Sequence, residues 1–81
     1  MTRIQVLGVR CPQCTQLKET FESVVRDLGV EATVEHVTDI DAILRLDVLM
    51  TPAVVIDGQV KLVGRVPSLD EIRWLLQGPR P

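Results

Sequence analysis

Apolar and polar positions alternate at the start of the chain. Ile4, Val6 and Gly8 share one face, and Arg3 and Gln5 the other. A period of two predicts a strand. Gly8-Val9-Arg10-Cys11-Pro12 breaks it, and from Gln13 the period lengthens. Leu17, Phe21, Val24, Val25 and Leu28 then form one stripe of a helix that Gly29 stops. Glu31 to His36 alternates again, with Ala32, Val34 and His36 opposite Thr33 and Glu35. Thr38-Asp39-Ile40-Asp41 opens a short helix. Thr38 is read as its N-cap, and Ile40, Ile43, Leu44 and Val48 as its inner face. Ala53-Val54-Val55-Ile56 is apolar throughout, as a strand covered on both faces would be. Asp57-Gly58 is a hairpin turn leading to a return strand, Gln59–Val63. Ser68-Leu69-Asp70-Glu71 is a capping box. It opens a last helix with Ile72, Leu75 and Leu76 facing inward and Gly78-Pro79 at its end.

The order is β-α-β-α-β-β-α. Its first half asks for a right-handed parallel crossover and its second for an antiparallel hairpin under a helix. An α/β fold, with a four-stranded mixed sheet and helices on both faces, satisfies both. The 81 residues allow one domain, 1–81, with an ordered core over about 3–77. A hydrophobic content of 46% suits a globule. The formal charge of −2, with acids and bases intermixed, and 2% aromatic residues speak against a nucleic-acid partner. No apolar run approaches the ~20 residues a membrane helix needs. Met1–Leu7 lacks the pattern of a signal peptide. A cytoplasmic location is therefore expected, where thiols are kept reduced and a static disulfide is not.

Cys11-Pro12-Gln13-Cys14 then needs another explanation. The motif falls where the first strand meets the first helix. A two-residue gap brings both sulfurs to the first helical turn, within bonding reach. Pro12 suits the first helical position, where its missing N–H is no loss. The free N–H groups and positive end of the helix dipole stabilise a thiolate there. Cys11, at the helix start, is expected to be the attacking sulfur, and Cys14, one turn deeper, the resolving one. Arg10 adds positive charge beside Cys11. The competing reading is a carrier or sensor module holding a soft metal or metalloid on the same two thiols. A closed zinc site needs four ligands, and the chain offers only these cysteines and the distant His36. No metal site is expected. His36 is read as a surface residue at a strand end, Trp74 as a half-buried packing residue and Arg65 as a solvated loop charge.

Met50-Thr51-Pro52 precedes the apolar strand, where a proline cannot donate to the ladder; a cis Thr51–Pro52 bond would account for it. With the cysteine motif, Val37-Thr38-Asp39, Ala53–Gly58 and Gly64–Ser68, this segment resembles the thioredoxin superfamily. The resemblance is closest to its short, glutaredoxin-like redox-active disulfide branch, and it runs from about Ile4 to Leu76. It implies a thioredoxin fold and a thiol–disulfide oxidoreductase needing no bound cofactor. In that family the residue before the cis-proline pairs with substrate peptide. Thr51 and Pro52, with Arg10 and Pro12 flanking Cys11, are therefore the expected substrate-contacting residues. The implied partners are a protein disulfide and a reductase of the flavin-dependent, thioredoxin-reductase kind; a monomer is expected. The family's buried acid has no evident counterpart, Glu35 being the one to test. Gly64-Arg65 replaces the glutaredoxin Gly-Gly-Asp stretch, which speaks against glutathione use.

Overall fold

The computed structural model describes residues 2–77. The elements are β1 (Thr2–Leu7), α1 (Pro12–Leu28), β2 (Ala32–Val37), α2 (Ile40–Arg45), β3 (Ala53–Ile56), β4 (Gln59–Val63) and α3 (Leu69–Gln77). The strands lie in the order β2-β1-β3-β4. β1 runs parallel to β2 and antiparallel to β3, and β3 and β4 form the hairpin. This is the α/β fold, a four-stranded mixed sheet with helices on both faces, that the element order predicts. The expected end of the last helix at Gly78-Pro79 lies outside the described residues.

Alternation along the strands divides the core in two. Ile4 and Val6 of β1 and Val54 and Ile56 of β3 pack with Leu17, Phe21 and Val24 of α1 and Ile72 of α3. Leu7, Ala53 and Val55 point the other way and pack with Ile43 and Val48. β3 is therefore apolar at every position because each of its faces has its own cluster to fill.

Local chemistry fixes the ends of the elements. Gly29 closes α1 in the left-handed region, at φ 65°, with its N–H on the Val25 and Arg26 carbonyls. Asp57 and Gly58 both have positive φ, 51° and 81°, as a two-residue hairpin of this hand demands. Val54 pairs with Leu62 but Val55 with Val60, which leaves Lys61 as the extra residue of a bulge. Ser68 and Glu71 exchange bonds as a capping box: Glu71 N–H donates to Ser68 Oγ and Ser68 N–H to Glu71 Oε1, each at 3.2 Å.

The second helix departs from the sequence reading. Its N-cap is Asp39, not Thr38: Asp39 Oδ1 accepts from Asp41 N–H at 3.0 Å. Of its expected inner face only Ile43 and, past its end, Val48 are buried; Ile40 and Leu44 are 57% and 52% exposed. Six residues make under two turns, too short for a stripe of four to meet one surface.

The strand register decides where the ends converge. Leu7 lies opposite Val37 in the parallel pair and opposite Ala53 in the antiparallel pair. One end of the sheet thus gathers the residues after Leu7, those before Ala53 and the last residues of β2.

Candidate active site

Cys11 is the N-cap of α1, with extended backbone at φ −118° and ψ 99°. Its sulfur does what a capping oxygen does elsewhere: Cys14 N–H donates to Cys11 Sγ at 3.1 Å. Pro12 occupies the first turn, where no N–H is required. Cys11 and Cys14 are joined as a disulfide, their Cα atoms 5.2 Å apart. Their exposure differs. Cys11 is partly exposed, whereas Cys14 is fully buried among Leu17, Phe21 and Val6. Cys14 Sγ lies 3.5 Å from the Leu7 carbonyl oxygen. A disulfide sulfur carries no hydrogen, so that contact becomes a hydrogen bond only once Cys14 is a thiol.

Gly8 is the wall against which the pair rests. A Cβ there would overlap Cys14 Sγ and would lie 3.2 Å from Cys11 Cβ and 3.4 Å from Thr51 Cβ. Only glycine lets the backbone come this close to both cysteines and the proline loop. The Thr51–Pro52 peptide is cis, with Thr51 exposed beside the cysteines and Pro52 buried. Pro52 O accepts the Gly64 N–H at 2.9 Å, tying the loop to the end of β4.

The chain is similar to known proteins. A family model described as a thioredoxin domain matches residues 2–77. The chain belongs to the thioredoxin family. It is 34% identical over 76 residues to a thioredoxin of Methanothermobacter thermautotrophicus, covering 94% of this chain and 99% of that one. A thioredoxin of Methanocaldococcus jannaschii is 36% identical over 73 residues, covering 90% of this chain and 84% of the relative. A mutant thioredoxin from Halobacterium salinarum superimposes with a TM-score of 0.73 at 17% identity, over 94% of this chain and 72% of that structure, which speaks for the fold. With its Cys11–Cys14 pair, this thioredoxin-family chain is a thiol–disulfide oxidoreductase.

The other candidate residues fall in and out of the site. Arg10, next to Cys11, is exposed with a positive φ of 51°, a conformation an L side chain adopts at some cost. Pro12 is exposed on the other side of the sulfur. Glu35 is not near the cysteines; it accepts from Arg3 Nε and Gln5 Nε2, each at 3.0 Å, on the opposite face of the sheet from Cys14. Trp74 is 57% exposed rather than half-buried. Arg65 is paired, not solvated alone: its two terminal nitrogens reach Glu71 at 2.7 and 2.6 Å. Among the described residues, no three His, Cys, Asp or Glu side chains gather as metal ligands would.

Two residues of the site escape sequence reasoning. Gly8 carries a signal, a glycine at a strand end just before a reactive motif. His36 carries none. It is half-buried at the active-site end of the sheet, with Nε2 at 2.9 Å from the Gly8 carbonyl oxygen. A carbonyl only accepts, so Nε2 bears the hydrogen.

An open apolar groove of about 190 Å³ runs from Thr51 along Val9, Ile40, Leu44 and Leu49. A larger, mostly polar groove, about 530 Å³, lies between α1 and α3 along Gln16, Thr20, Asp27 and Arg73, and its lining includes neither cysteine. Among the described residues, no helix is long and apolar enough to cross a membrane.

Proposed function

We propose that this chain reduces protein disulfides through Cys11 and Cys14, with Cys11 as nucleophile. The observation that carries this reading is the asymmetry of the pair: one sulfur partly exposed at a helix N-cap, the other fully buried one turn deeper. In the reduced protein the Cys14 N–H and the helix dipole favour a thiolate on Cys11. Burial and the Leu7 carbonyl favour a neutral thiol on Cys14. Cys11 Sγ attacks one sulfur of the substrate disulfide, a mixed disulfide forms, and the other substrate sulfur leaves as thiolate. Cys14 then gives up its proton and attacks Cys11 Sγ. The Cys11–Cys14 bond forms, the second substrate thiol is released, and two electrons have passed to the substrate.

Thr51 and Pro52 frame the approach, Thr51 offering its backbone to an extended substrate segment. Arg10 and Pro12 flank Cys11 and touch the same segment. The apolar groove beside Thr51 suits a polypeptide substrate better than a small polar thiol. A protein reductase of the flavin-dependent thioredoxin-reductase kind returns the electrons. The chain works as a monomer in the cytoplasm, where such donors keep dithiols reduced.

Insulin reduction with dithiothreitol as electron source tests this. Cys11→Ser is expected to abolish turnover. Cys14→Ser is expected to retain the first attack and accumulate a mixed disulfide, visible by mass spectrometry. Full turnover by Cys11→Ser would overturn the assignment.

A further inference from the structure

Parallel pairing of β1 with β2 ends at Leu7 and Val37. Gly8 nevertheless has both backbone groups tied to β2. Its N–H donates to Val37 O at 3.0 Å, and its carbonyl accepts from His36 Nε2 at 2.9 Å. The imidazole thus takes over from the ladder one residue past its end. The residue it holds is the one whose missing Cβ leaves room for Cys14 Sγ, Cys11 Cβ and Thr51 Cβ. Between Gly8 and Cys11, Val9 and Arg10 are exposed, Arg10 sits in the left-handed region, and among the described residues neither makes a hydrogen bond like those of Gly8.

We infer that His36 is a positioning residue for the redox pair, acting through the Gly8 carbonyl. The inference rests on the redox reading above and adds to it a group whose hydrogen bond goes to the Gly8 backbone rather than to a sulfur. Closing the disulfide is a ring closure, and its probability depends on how narrowly the two sulfurs are confined. A firmly held wall at Gly8 raises the effective concentration of one thiol at the other and so favours the oxidised form. Losing the His36 bond loosens the wall and shifts the pair towards the dithiol.

The test compares His36→Leu, which fills the space without a donor, with His36→Gln, whose amide N–H can still reach the carbonyl. The readout is the equilibrium constant of the Cys11–Cys14 couple in a glutathione redox buffer, which needs no turnover. For His36→Leu it is expected to fall three- to tenfold towards the dithiol, tenfold being about 30 mV. His36→Gln is expected to stay within about twofold of the unmodified protein. A contact that merely held the fold together would lower the melting temperature of both redox forms alike and leave the constant unchanged. An unchanged constant in a folded His36→Leu protein would overturn the inference. If His36→Leu does not fold, a threefold or larger shift in folded His36→Gln would overturn it too, since that variant keeps the donor. Failure of the unmodified protein to behave as a two-electron couple would instead sink the redox reading itself.

Discussion

At the scale of single residues, the site depends on one missing side chain. Gly8 has no Cβ, and the space a Cβ would fill belongs to Cys14 Sγ. Gly8→Ala must therefore push the backbone away from the pair or displace the sulfur. Overpacking of this kind costs about 1–3 kcal/mol. Chemical denaturation of oxidised Gly8→Ala should show a loss in that range, and reoxidation of its dithiol should be slower than in the unmodified protein. Gly58, whose absent Cβ faces open space, is a different case. There only the backbone conformation, φ 81°, argues for glycine.

At the scale of elements, α3 carries its own electrostatics. Glu71 receives both terminal nitrogens of Arg65 and caps the helix through Ser68. The Arg65 hydrogen bond, then that of the Ser68 backbone, holds the Glu71 carboxyl down at about 2, against an ordinary 4.5. The same partner raises the Arg65 pKa. The sign follows from the depressed value. Folding favours the carboxylate, so the stabilisation is complete above about pH 4.5 and disappears as pH falls through about 2. The pair is solvent-exposed and salt-screened, so the effect is small. Melting temperatures followed by circular dichroism should show Glu71→Gln below the unmodified protein above pH 4.5, with the gap closing by about pH 2. A gap that persisted in acid would point to lost packing instead.

At the scale of the whole molecule, the redox sulfur is also a core atom. Cys14 belongs to the cluster of Leu17, Phe21, Ile4 and Ile72, on the α1–α3 side of the sheet. The cluster beneath α2 is smaller, with Ile43 and Val48 over Leu7, Ala53 and Val55. A domain of this length has about 4–12 kcal/mol of total stability. Phe21→Ala should remove about 3–5 kcal/mol and Ile43→Ala about 2–5. Urea titration should therefore place the midpoints of both variants far below that of the unmodified protein. Because Phe21 packs in the cluster that holds Cys14, the same substitution should also disturb the redox pair, which Ile43→Ala should not.

Whatever depends on near neighbours could be read from the order of residues. The spacing of Leu17, Phe21 and Val24, the left-handed turn at Asp57-Gly58, the Ser68–Glu71 box and the placing of Cys11 at a helix start are all local. So was the short reach of α2, although its pattern of apolar residues overstated the buried face. What joins Gly8, His36, the two cysteines and Thr51 is the pairing of three strands in one register. No local period records that register, because the partners lie 28 to 43 positions apart. A histidine that looks like any strand-end residue becomes part of the site only when β2 is laid beside β1.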